Sequence, residues 1–138
     1  MQKLKIMVDT NVLISMYVFP SALMSIAFEV IFSNDVILSE YITSEFHNVI
    51  NKKFSAKSDK AEEFLGRLKC TVIDTPDKDI LGDISVRDVK DNLVLASAIS
   101  ADVDVLISGD RDFESVNIKR PEILKIAEFM NKYLPKGK

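Results

Sequence analysis

The chain has 138 residues, enough for one compact domain with its own core and too few for two. Hydrophobic residues make up 47% of it, which excludes a disordered chain, and no apolar stretch approaches the roughly 18 to 20 residues of a membrane span. The net charge is −3, and Cys70 is alone, so an internal disulfide is excluded, which fits a reducing cytoplasm; with His47 the one histidine, a structural zinc site is not expected.

Lys3 and Lys5 precede apolar residues, but Asp9 and Asn11 break the run, so a signal peptide is not expected. Residues 4–8 read as a short strand buried on both faces. Residues 12–17 begin a helix, Pro20 resets it, and residues 22–32 continue it with Ile26, Val30 and Ile31 on one side. Residues 36–38 are a second strand, and Ser39 can cap a helix running to about Lys53. Residues 56–68 form a further helix, with Ala61, Phe64, Leu65 and Leu68 at helical spacing. Residues 70–73 are a third strand, with Cys70 read as core.

Residues 74–88 read as irregular and acidic, with a short helix around 77–81. A small-residue helix over 92–101 follows, then a fourth strand over 104–107 and a turn at Ser108-Gly109-Asp110. Residues 122–126 read as a fifth strand before a last helix over 127–134; the alternative is one helix over 122–133. No linker, repeat or low-complexity tract divides the chain, so residues 1–138 read as a single domain. Strands alternating with helices predict an α/β fold with a mostly parallel sheet.

Such sheets place their ligand crevice outside the carboxyl ends of the strands. Asp9 ends the first strand, Asp91 stands at the mouth of the small-residue helix, and Asp110 and Asp112 follow the fourth strand. Glu45 lies on the amphipathic helix whose Ile42, Phe46 and Val49 face the core. Acids gathered at one edge need a divalent cation to be stable. The alternatives are that Asp9 only caps the next helix, that Asp112 supports or caps a last turn, and that Glu45 is an ordinary surface residue. Thr10 and Asn11 are expected to orient the pocket, Asp88 to be a solvated loop residue, and Gly109 to let the backbone turn sharply past the strand.

Charge is patterned along the chain: +3 over residues 48–70, −7 over 71–115 and +4 over 116–138. An acidic centre flanked by basic surface suits a metal pocket with a polyanion lying across it. With one histidine, a ribonuclease relying on paired histidines is excluded, and a serine triad lacks its base unless His47 serves. No Walker-type or GxGxxG loop occurs. The chain thus reads as a metal-dependent enzyme acting on a phosphodiester.

Four segments carry a resemblance. They are Ile6-Met7-Val8-Asp9-Thr10-Asn11-Val12-Leu13, Ser44-Glu45-Phe46, Val86-Arg87-Asp88-Val89-Lys90-Asp91-Asn92 and Leu106-Ile107-Ser108-Gly109-Asp110-Arg111-Asp112-Phe113. In this order the chain resembles the PIN domain family, and more narrowly the VapC-like toxins of prokaryotic toxin–antitoxin pairs. The resemblance implies a three-layer α/β/α sandwich with about five parallel strands, and an Mg²⁺- or Mn²⁺-dependent endoribonuclease. Asp9, Glu45, Asp91 and Asp110 fall on the family's acidic quartet, with Asp112 a further metal ligand. Thr10, Asn11, Asn92 and Ser108 fall in supporting positions, Ser108 where the family often has threonine. Val89 replaces the usual proline before the Lys-Asp pair. The implied partners are an RNA substrate, a cognate antitoxin whose segment occupies the groove, and a second copy of the chain; no membrane is implied.

Two rivals have a place. An aspartate-based phosphatase also starts with an Asp after its first strand, but wants a second acid two residues later, where this chain has Asn11. A non-catalytic RNA-binding domain of the same fold has no use for an intact acidic quartet, which only costs stability when unpaired.

Overall fold

The computed structural model describes residues 3–84, 86 and 88–134. Arg87, part of one of the segments quoted above, lies outside them. At the centre is β1 (Lys5–Val8), whose Ile6, Met7 and Val8 are fully buried. Asp9 follows at once and caps α1 (Thr10–Val18), its Oδ1 accepting the Thr10 N–H at 2.7 Å. Ser21 caps α2 (Ala22–Phe32) through the Met24 N–H. β2 (Asp35–Ser39) leads into α3 (Glu40–Lys53), where Ser39 Oγ accepts the Ile42 N–H at 3.3 Å. The expected caps at residues 9 and 39 are thus both made.

A 3₁₀ turn (Ser55–Lys60) and α4 (Ala61–Arg67) then lead to β3 (Cys70–Ile73). The 3₁₀ turn Lys78–Leu81 comes before α5 (Val89–Ser100). β4 (Val105–Ile107), the 3₁₀ turn Arg111–Ser115, β5 (Glu122–Leu124) and α6 (Ile126–Tyr133) complete the order. Among the described residues the sheet has five strands in the order β3-β2-β1-β4-β5, every pairing parallel. Helices flank it, as expected of an α/β/α sandwich. The chain adds strands on one side of β1 and then returns to add β4 and β5 on the other. The switch point therefore lies between β1 and β4, and ligand crevices open at such points.

Several local expectations give way. The stretch 56–68 is not one α-helix, because Ser58 Oγ–H donates to the Ser55 carbonyl at 2.7 Å and holds the first turn as 3₁₀. Cys70 is only half-buried rather than core, since β3 is an edge strand with Thr71 and Val72 exposed. On α2 the buried face is Ala27 and Ile31, which turns Ile26 to solvent. α5 starts three residues earlier than expected, because Asp88 rather than Asp91 is its cap. Gly109 is not in the left-handed region, and a Cβ there would meet nothing within 4 Å. The turn is made instead by Ser108 Oγ, which accepts the Asp110 N–H at 3.1 Å. At the C-terminus the strand-plus-helix alternative is the one adopted: the Lys125 N–H donates to Glu128 Oε1 at 2.8 Å and starts α6.

Candidate metal centre

Val8 pairs with Ile107 in the β1–β4 ladder, so the next residues on the two strands, Asp9 and Ser108, come out side by side. The Asp9 N–H donates to the Ile107 carbonyl at 2.9 Å and extends that ladder past the end of β1. Ser108 Oγ–H then donates to Asp9 Oδ2 at 2.7 Å. With Thr10 N–H on Oδ1, each oxygen of the buried Asp9 carboxylate has one donor. Burial nonetheless raises the Asp9 pKa, opposed by these two hydrogen bonds and reinforced by the charges of Glu45 and Asp110.

Asp91 is more strained electrostatically. It lies in the first turn of α5, 6% exposed, and its Oδ2 is buried with no hydrogen-bond partner among the described residues. Its pKa is pushed up to about 8, first by burial, then by the neighbouring Asp110 carboxyl, and further by the charges of Asp9 and Asp88. Asp110 caps the 3₁₀ turn after β4 and accepts the Asp112 N–H at 2.8 Å. Glu45 is half-buried on α3; its Oε2 accepts the Tyr41 hydroxyl at 2.8 Å and lies 3.8 Å from Lys90 Nζ. Asp9, Asp91, Asp110 and Glu45 thus come from four separate segments into one electrostatic neighbourhood.

Asp112 follows Asp110 on the same segment and also reaches the centre. One carboxylate oxygen each from Asp88, Asp91 and Asp112 lies within 4.8 Å of the others. Asp88, expected to be merely solvated, is exposed but caps α5 and adds an acid to the centre. Asn92 is buried beside it and clamps Val86, accepting its N–H at 2.7 Å and donating to its carbonyl at 3.0 Å. Thr10 is buried, with Oγ1 unpartnered. Asn11 is exposed on α1.

A divalent cation fits this donor set. Mg²⁺ and Mn²⁺ take oxygen ligands, and two buried oxygens, Asp91 Oδ2 and Thr10 Oγ1, lack a partner among the described residues. Among the described residues Asp88, Asp91 and Asp112 offer oxygens close enough together to share one ion, and Asp9, Asp110 and Glu45 lie near enough for their charges to act on this centre. Sequence reasoning did not find the roles of Asp88, Tyr41 and Lys90. Tyr41 and Glu45 are spaced i, i+4 on one helix, a readable signal for contact; nothing local tied Lys90 to α3.

Residues 5–112 match a family model described as PIN domain. No curated protein gives a significant match to the chain. Among solved structures the chain is similar to VapBC2 from Rickettsia felis bound to a DNA fragment from their promoter. The TM-score is 0.68 at 19% identity, covering 88% of this chain and 97% of that one. It is also similar to DNA-bound VapBC from Salmonella typhimurium, with TM-score 0.66 and 20% identity over 88% of this chain and 97% of that one. VapC20 from Mycobacterium tuberculosis, a Sarcin-Ricin loop cleaving toxin, aligns with TM-score 0.60 and 16% identity over 80% of this chain and 93% of that one. Identities this low speak for the fold, whereas the family model covers Asp9, Glu45, Asp91, Asp110 and Asp112 in one match. The chain belongs to the PIN domain family.

Proposed function

We propose that the protein is an Mg²⁺- or Mn²⁺-dependent endoribonuclease and the toxin of a toxin–antitoxin pair. The observation that carries this reading is the buried, unpartnered Asp91 Oδ2 amid the carboxylates of Asp9, Asp110, Glu45, Asp88 and Asp112. Unpaired buried charge costs several kcal/mol per ion, on the order of the whole stability of a domain. A fold keeps such a group where something binds it. PIN domains are a nuclease family, and the similarity to VapBC and VapC structures supports the toxin assignment.

When bound, the cation neutralises the phosphate and lowers the pKa of an attacking water. The chain's own groups prepare that site. Ser108 and Thr10 fix the Asp9 carboxylate in one orientation. The Tyr41 hydroxyl holds one oxygen of Glu45 and leaves the other to orient a water. Asn92 sets the start of α5, from which Asp88 and Asp91 project. Asp9, Asp91 and Asp110 are the proposed inner ligands.

Two partners belong to the proposal, a cognate antitoxin and a second copy of the chain. Phe19, Leu23 and Ile26 are exposed along the α1–α2 junction, an apolar stretch that supports protein contact there. Among the described residues no helix is long and apolar enough to cross a membrane.

The test is cleavage of single-stranded and structured RNA with Mg²⁺ or Mn²⁺, beside Asp9→Asn and Asp91→Asn. Either substitution should reduce cleavage by about three orders of magnitude or more, as groups acting as a unit do. Equal cleavage by all three proteins would reject the assignment. Growth arrest on expression, relieved by the neighbouring reading frame, tests the toxin role separately.

A further inference from the structure

Tyr41, Glu45, Asn48 and Lys52 recur at intervals of three or four residues and so form one row along α3. With Lys53 and, from the first turn of α5, Lys90, this row lines a groove of about 410 Å³. Tyr41 and Glu45 stand at the end next to the metal centre; Lys52 and Lys53 occupy the last turn of α3 at the other end. Three lysines thus face a single carboxylate among the lining residues. Neither Lys52 nor Lys53 pairs with an acid among the described residues.

Lysines in a last helical turn are favoured by the helix dipole alone, and that accounts for Lys52 and Lys53 in isolation. It does not account for Lys90. A cation in the first turn of α5 opposes the dipole, and its side chain is 71% exposed. Lys90 nevertheless reaches across to Glu45, where it faces the groove and the acids together.

We propose that this groove is the track for a single RNA strand, with Lys90 on the phosphate beside the cut bond and Lys52 and Lys53 on phosphates further along. The proposal rests on the ribonuclease reading and deepens it. From Glu45 to Lys52 the row advances by seven residues, about 10 Å along the helix axis. At about 3.4 Å per stacked nucleotide, that is the length of about three nucleotides. An acidic protein segment is the competing occupant. Such partners anchor through apolar side chains seated in pockets, and among the described residues Val49 is the only aliphatic one lining this groove.

The experiment measures binding of a fluorescent 12-nucleotide single-stranded RNA by anisotropy in Mg²⁺, over a series of salt concentrations. Asp9→Asn is the parent, so that the probe stays intact, and Lys52→Ala, Lys53→Ala and Lys90→Ala are added to it singly and together. Exposed Lys60 and Lys69, replaced by alanine, serve as the control pair, and circular dichroism checks that each variant is folded. Each groove lysine should lower the slope of log K against log salt by about 0.7, about 2 for all three. If the curves converge at 1 M salt, the triple variant then binds about a hundredfold more weakly at 0.1 M. A slope that falls no further than in the control overturns the proposal. So does unchanged RNA binding with lost binding of an oligo-glutamate peptide, which assigns the groove to an acidic partner. Lost RNA affinity without RNA cleavage by the wild type would retain the groove and remove the ribonuclease reading; normal cleavage with an unchanged slope would do the reverse.

Discussion

Ser108 and Asp9 are 99 residues apart in the chain, and the hydroxyl of one donates to the carboxylate of the other at 2.7 Å. The parallel β1–β4 register makes them neighbours, and the same Ser108 oxygen accepts the Asp110 N–H. One side chain therefore sets two of the proposed ligands. Ser108→Ala should weaken Mn²⁺ binding by about 10- to 100-fold, the usual effect of removing a partner that orients a ligand. Ser108→Thr, which keeps the hydroxyl, should bind near the wild-type level. Isothermal titration with Mn²⁺ decides it; wild-type affinity in Ser108→Ala would mean that Asp9 is oriented by the Thr10 N–H alone.

Asp91 sets function against stability. Its Oδ2 has no partner, and burial and neighbouring acids all disfavour its charge. Asp91→Asn removes that charge, and its amide can donate toward Asp110. In EDTA at pH 8 the variant should be more stable than the wild type by about 1–3 kcal/mol, the scale of an unsatisfied buried polar group. In a chain of this size 1 kcal/mol is about 4 °C in melting temperature. The same variant should have lost cleavage. A melting temperature below that of the wild type would show that Asp91 is compensated by protein groups.

The pH dependence of the metal-free protein follows from the same groups. The folded-state pKa of Asp91 is raised from 3.8 to about 8, and that of Asp9 is raised as well. Between the unfolded and folded values the native state binds more protons than the unfolded state, so stability falls as pH rises. The metal-free melting temperature should accordingly drop by several degrees from pH 5 to pH 8. Mn²⁺ should raise it more at pH 8 than at pH 5, because the ion competes with the protons. Scanning fluorimetry with and without EDTA measures both; a rise on going to pH 8 in EDTA would contradict these shifts.

The skeleton of the fold was legible because its signals are short-range. Buried apolar runs at residues 4–8 and 104–107 announce central strands, and Asp9 and Ser39 announce the helices that follow. The acids at strand ends were legible as well, since a parallel sheet converts sequence order into a shared edge. What escaped reading depends on three-dimensional company. Asp88 and Asp91 are equally good caps on paper; in the fold Asp88 caps α5, and Asn92 clamps Val86 just before it. Gly109 suggested a sharp turn that needs glycine, where a serine hydroxyl makes an ordinary one. Lys90 belongs to the α3 groove through a contact that no local pattern encodes.

Asn92 is the clamp that holds the start of α5. Its side chain accepts the Val86 N–H and donates to the Val86 carbonyl, both bonds buried. It thereby holds the segment that brings Asp88 to the cap of α5 and Asp91 to its first turn. Asn92→Ala breaks both bonds and leaves two buried backbone groups unsatisfied, a cost of about 2–4 kcal/mol. Urea denaturation should report that loss as a lower midpoint, with the slope unchanged if the denatured state is unaffected. Asn92→Asp keeps the acceptor for the Val86 N–H but turns a second oxygen toward the Val86 carbonyl. It also adds a charge beside Asp91 and Asp88. At pH 8 it should therefore be at least as destabilised as the alanine variant, and less so at pH 5, where a raised carboxyl pKa lets the group protonate and donate again. Equal stability of Asn92→Asp and wild type at pH 8 would show that the clamp is not what fixes the start of α5.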